Sequence, residues 1–279
     1  MATSENANLS NAKWPGIKNR IFDFAFGAAL NDATMQRAYS PTKSTAASKK
    51  TDGEKKKDAG LKRKMKDIIT KNTKDIVQSF IDELLNGNLT GRKQFDDAFY
   101  TLVDQIADKL SEGILPGEYK MFGCDKEATE GCVGRFTFGN IQKLINMTIK
   151  YMFRVCYLDK EKRRYFVYCH CPMDRIMIEI VSQEYKSAVV KHSLEDEGNL
   201  LIQSPWRTKT GPSKITWSKI GFPNQESNED FQNHKVYEDF QQMVRALAQK
   251  EHISPIEYDY MHWSAPSEDK EAQIQDSAG

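Results

Sequence analysis

Apolar residues recur at helical spacing along much of the chain. Ile76, Val77, Phe80, Ile81, Leu84 and Leu85 fall on one face, with Gly87 beyond them as a stop. Phe95, Phe99, Leu102, Val103, Ile106 and Leu110 form a second stripe, ended by Gly113, and Leu115-Pro116-Gly117 reads as a turn. The pattern predicts a long helix over 141–157, another over 172–186, and a further one carrying Val236, Phe240, Met243, Val244 and Leu247. Ser254-Pro255-Ile256-Glu257 reads as a capping box with proline at the first helical position, opening a short last helix. Between these, 193–223 is polar and irregular, with a short strand expected at 200–203. The fold class expected is therefore mostly α. Stripes of this kind describe a core and name no activity.

Four segments follow. Residues 1–40 form an N-terminal segment, with a dozen residues expected to be disordered before an apolar cluster, Ile21, Phe22, Phe24 and Phe26, that docks on the core. Residues 41–66 carry ten lysines and arginines against three carboxylates, a surplus of +7 among Ser, Thr, Ala and Gly. That composition reads as a basic flexible linker or arm, either a solvated tether or a clamp on nucleic acid. Residues 67–264 hold the helical domain, and 265–279 an acidic tail expected to be disordered. No internal repeat is visible.

Composition narrows the classes. The chain has 279 residues, enough to bury a core without disulfides, and its net charge is +1. Five cysteines, Cys124, Cys132, Cys156, Cys169 and Cys171, are odd in number and lack a disulfide-scaffold spacing. No signal-peptide core and no membrane-length apolar run is present, so a cytoplasmic, non-membrane protein with free thiols is the simplest expectation. Walker, Rossmann, zinc-protease and nucleophile-elbow motifs are all missing. Cys169-His170-Cys171 invites a metal, but zinc wants four ligands in spaced pairs, so no metal and no cofactor is expected.

Chemistry concentrates between Gly139 and Ile180. Gly139-Asn140-Ile141-Gln142-Lys143 reads as a glycine turn leading into a helix, whose early N–H groups favour an anion such as a DNA phosphate. Pro172-Met173-Asp174 opens a second helix, where a carboxylate is stabilised as the anion.

This pair resembles the helix-hairpin-helix DNA glycosylases. In that superfamily a glycine-rich hairpin precedes a helix of the type Lys-Thr-Ala-Asn-Met, and a Val-Asp opens a later helix. Lys143-Leu144-Ile145-Asn146-Met147 is similar to the first element. Pro172-Met173-Asp174, followed by Ile176 and Ile178, is similar to the second. The likeness spans some forty residues. Ile141 stands where the family hairpin has a second glycine, and Lys143 and Asp174 are 31 positions apart, wider than in most members. The archaeal 8-oxoguanine DNA glycosylase type shares that wide separation and an eroded hairpin, and is the branch suggested. The four-cysteine iron–sulfur signature of some members is absent.

The resemblance implies a helical glycosylase-like fold with a helix-turn-helix hairpin. It implies removal of a damaged or modified base, flipped out of double-stranded DNA, for repair or for defence against modified foreign DNA. Lys143 would be the nucleophile, giving AP-lyase activity, and Asp174 the catalytic carboxylate. Gly139, Asn140, Gln142, Lys150 and Arg175 would contact DNA; Asn146, Met147, His170 and Trp263 would line the base pocket. Among the tryptophans Trp206, Trp217 and Trp263, the last is preferred for stacking on the base, by analogy with the archaeal enzymes. A monomer is expected. The rival readings are a non-catalytic nucleic-acid-binding or regulatory protein on the same fold, and a protein-interaction module that uses the lysine-rich segment as a linker.

Overall fold

The computed structural model describes residues 5–34, 52–113, 136–157, 159–191, 193–195, 215, 217–223 and 232–264. The expected strand at 200–203, the turn at 115–117 and the tail 265–279 lie outside them. The described residues are mostly helical: α1 (Glu5–Thr34), α2 (Asp52–Leu85), α3 (Arg92–Gly113), α4 (Phe138–Cys156), α5 (Lys160–Arg163), α6 (Arg175–Val190), α7 (Lys235–Lys250) and α8 (Pro255–Ser264). Two 3-10 turns, Arg164–Phe166 and Trp217–Lys219, complete the order. Among the described residues, no helix is long and apolar enough to cross a membrane.

α4 is the axis of the fold. Every residue from Phe138 to Lys150 is buried, because α1, α3, α5, α8 and the Trp217–Lys219 turn pack around it. α1 lies closest, and its sequence explains why. Ala25, Ala29 and Ala33 alternate with Phe22, Phe26 and Leu30 on its buried face. The alanines let the backbones approach and the larger side chains interlock with α4. The pair α2–α3 and the trio α6–α7–α8 pack around this centre.

Several boundaries differ from the sequence expectation. The basic arm expected over 41–66 is helical from Asp52 onward, as part of α2. Its lysines are good helix formers, and Met65 and Ile69 anchor it in the core. Residues 5–12, expected to be disordered, belong to α1. Gly87 fulfils its role as a stop: it takes φ +75 just past α2, and the Tyr165 ring packs against it. α8 opens as read, with Ser254 N–H and Oγ on Glu257 Oε2 at 2.9 and 2.8 Å.

Candidate functional site: a buried lysine under a tryptophan

The glycine turn expected at Gly139 is instead the second residue of α4. Thr137 is the N-cap, and Thr137 and Asn140 form a reciprocal capping box. Gly139 is glycine for a different reason. A Cβ there would stand 1.8 Å from the carbonyl oxygen of Trp217, so the Trp217–Ile220 backbone lies directly on the start of α4. Gly139 N–H donates to Ile220 O at 3.1 Å, and Thr137 Oγ1 donates to Ser218 O at 2.9 Å. Strapped down in this way, the Trp217 ring sits over Lys143, with Nζ 4.3 Å from the ring centroid.

Lys143 is 1% exposed. Burial pushes its ammonium below the usual lysine range, and Asp174 opposes that shift without reversing it. Asp174 is the N-cap of α6, not a residue of its first turn, and Pro172 precedes the helix. Its two oxygens divide the work. Oδ1 accepts from Met177 N–H at 3.0 Å, while Oδ2 faces Lys143 Nζ at 3.9 Å. That distance is an ion-pair contact and too long for a hydrogen bond, so the amine is not locked to the carboxylate. Gln142 holds the two helices in register. Its Nε2 donates to Gly139 O and Met173 O at 3.0 and 3.1 Å, and its Oε1 accepts from Met173 N–H at 3.4 Å.

A directional polar chain continues from Gln142. Asn146 Nδ2 donates to Gln142 Oε1 and to Tyr237 OH, both at 3.0 Å. Tyr237 OH lies 2.8 Å from His170 Nδ1, and His170 Nε2 lies 2.8 Å from Asp96 Oδ1. An ionised Asp96 only accepts, so Nε2 carries the proton and Nδ1 accepts from Tyr237. Burial lowers His170 to about 4, so near pH 7 the imidazole is neutral and its N–H donates to the Asp96 carboxylate without forming an ion pair. Burial alone would raise Asp96, but His170 and Arg245, whose guanidinium is 2.6 Å away, lower it overall.

The structure therefore brings Lys143 and Asp174 together and gives several other candidates inward roles. Asn140 Nδ2 donates to Ala33 O at 3.0 Å, tying α4 to the end of α1. Gly139, Asn140 and Gln142 are buried on protein partners, which corrects their assignment as a surface facing DNA. Lys150 is likewise buried, 2.8 Å from Asp259, so it is an internal cation and not a phosphate contact. Arg175 is exposed and pairs with Glu179 at 3.2 Å. Asn146, Met147 and His170 are buried around the lysine helix and its neighbours, whereas Trp263 belongs to α8 with its side chain outside the described residues. The aromatic beside Lys143 is Trp217, which sequence reasoning had ranked behind Trp263; its only signal was membership of a short set of tryptophans. Tyr237, Asp96 and Gln241 were missed because each hides in an ordinary amphipathic stripe. Gln241 clamps the backbone of Cys171, accepting from its N–H at 3.1 Å and donating to its carbonyl at 2.7 Å. Burial pushes the Cys169 and Cys171 thiols up, and the two His170 nitrogens are engaged by Tyr237 and Asp96.

No protein-family model matches the chain, and neither does any curated protein or solved structure compared with it.

Proposed function

We propose that the protein is a DNA glycosylase with AP-lyase activity, acting through Lys143 on a damaged or modified base of duplex DNA. One observation carries this reading: a buried lysine with a lowered proton affinity stands 3.9 Å from a carboxylate and 4.3 Å from a tryptophan ring. An amine that gives up its proton more readily than an exposed lysine, a carboxylate and an aromatic wall suit such a reaction. In this reading the fold is glycosylase-like, and the target base is flipped out of the duplex. The Lys143 lone pair forms a bond to the sugar C1′ carbon as the glycosidic electrons leave with the base, which takes up a proton. Asp174 stabilises positive charge on the sugar and receives a proton from the attacking amine. Ring opening then gives an iminium, and β-elimination releases the 3′ phosphate before water frees the lysine. The Trp217 turn moves off Lys143 to admit the sugar, and its ring stacks on the displaced base. The lysine-rich start of α2 adds affinity independent of sequence.

Borohydride reduction of the protein on duplexes carrying an abasic site or a candidate lesion tests this. Wild type is expected to give a covalent adduct, Lys143→Met none, and Asp174→Asn a duplex-binding protein that releases no base. No adduct from wild type on any duplex, or equal trapping by Lys143→Met, overturns the reading.

The closure of the site favours one rival. Lys143 is covered and Gly139, Asn140 and Gln142 are committed to internal bonds, so the lysine does no chemistry in this rival and any nucleic-acid binding comes from outside this site. That rival gives salt-sensitive duplex binding with neither an adduct nor an abasic product.

A further inference from the structure

Asn146 holds an acceptor that the protein itself does not use. The residue is fully buried, and among the described residues its Oδ1 has no hydrogen-bond partner. The surrounding bonds fix which end of the amide this is. Gln142 Nε2 is committed to the carbonyls of Gly139 and Met173, so Gln142 Oε1 is the atom facing Asn146. That oxygen already accepts from Met173 N–H, and it can only accept from Asn146 as well. Tyr237 spends its proton on His170 Nδ1 and offers Asn146 a lone pair. Both hydrogens of Asn146 Nδ2 are therefore taken, and a flipped amide would set oxygen against oxygen. Oδ1 faces away from the Gln142–Tyr237 pair, one helical turn beyond Lys143 on α4. Leaving a buried acceptor unpaired is unfavourable, and a rigid, fully specified scaffold that does so is prepared for a donor from outside.

We infer that Asn146 Oδ1 accepts an N–H of the base this site releases, so that the substrates are bases with a donor on the edge they present. The inference rests on the glycosylase reading above. Gln142, Tyr237, His170 and Asp96 are then positioning residues: they hold the amide in the one orientation that exposes its oxygen.

The test separates the two claims by using DNA with and without a base. Wild type and Asn146→Leu are compared for borohydride trapping on an abasic duplex, which needs the lysine and no base. Both are then compared for base release from duplexes holding uracil, hypoxanthine or 8-oxoguanine, each beside its ring-N-methylated counterpart. The expected result in Asn146→Leu is base release slowed about 30-fold or more beyond any change in abasic trapping by the same variant, since a site built around a hydrogen bond discriminates strongly when the bond is lost. Methylation of the ring N–H should slow wild type to a similar extent and leave Asn146→Leu nearly unchanged. Because the methylated arm uses the native protein, a folding defect in the variant does not decide the outcome. Equal release of parent and methylated bases by wild type overturns the inference, and so does undiminished release by Asn146→Leu, in which case a buried water fills the acceptor. Abasic trapping by wild type with no release of any of the three bases also overturns it and leaves the lysine mechanism standing. Absence of both trapping and release brings down the glycosylase reading and the inference together.

Discussion

Gly139 and Trp217 touch through their backbones, so closely that no side chain fits between them: a Cβ on Gly139 would stand 1.8 Å from the Trp217 oxygen and 2.9 Å from its carbonyl carbon. In an open helix, glycine to alanine stabilises by roughly 0.5–1 kcal/mol. Here the sign should reverse. Gly139→Ala is expected to destabilise by about 1–3 kcal/mol, the usual range for overpacking, as the Trp217 turn is pushed off α4. Thermal unfolding reads this directly, and a stabilised variant would contradict the close approach.

The two oxygens of Asp174 can be separated by mutation. Asparagine keeps an acceptor for Met177 N–H and remains a good N-cap, whereas alanine loses it. Asp174→Ala should therefore be less stable than Asp174→Asn by about 1 kcal/mol in denaturant unfolding. Both variants lose the charge near Lys143, so both should fail in base release. An activity difference that tracks the stability difference would mean that Asp174 acts only as a cap.

Stability should fall on acidification between about pH 6.5 and 4. His170 and His234 are both lowered to about 4 by burial. A histidine with a depressed pKa contributes stability that is present above its unfolded value and lost as pH falls through the folded one. A shift of this size corresponds to roughly 3 kcal/mol for a fully buried imidazole. Asp259 works in the opposite direction. Burial raises it to about 6 despite Lys150, so its contribution is present at low pH and lost as pH rises through that value. Melting temperature followed against pH should give a shallower slope for His170→Gln and a steeper one for Asp259→Asn, each relative to wild type.

In the proposed complex with duplex DNA, the lysines at the start of α2 act through charge alone. Replacing Lys55, Lys56 and Lys57 by glutamate is expected to weaken duplex binding for every sequence alike. The slope of log K against log salt should shrink by roughly two to three. An unchanged slope would remove α2 from the interface.

Helical class, the α3 stripe and the α8 capping box were all legible in the sequence, because each rests on local periodicity or a short motif, whereas only a family resemblance set Lys143 beside Asp174. What escaped was set by contacts distant in sequence. Gly139 signalled a turn, and nothing near it announces that Trp217, far along the chain, would lie on its backbone. Lys150 reads in sequence as a DNA contact, and nothing near it announces that Asp259 meets it from α8. Asp52 to Met65 combined linker composition with helix-forming residues, and anchoring of Met65 and Ile69 in the core settled the balance. Polar residues in the middle of an apolar helix, such as Gln142 and Asn146, showed their importance only once their partners on other elements were placed.

The enclosure of α4 on all sides has a consequence for amide hydrogen exchange. From Phe138 to Lys150 no residue lies on a solvent-facing edge from which local fraying could start. Beyond Gly139, whose N–H is released with the Trp217 turn, these amides should exchange only when the whole domain opens, giving the slowest protons among the described residues at the same positions as the candidate chemistry. Reactive groups are more often carried on the easily opened parts of a fold. Here a library of random α4 substitutions, screened for lost activity, would return mostly unfolded chains, and the substitutions that matter most for reactivity would have to be found among the few that still protect these amides.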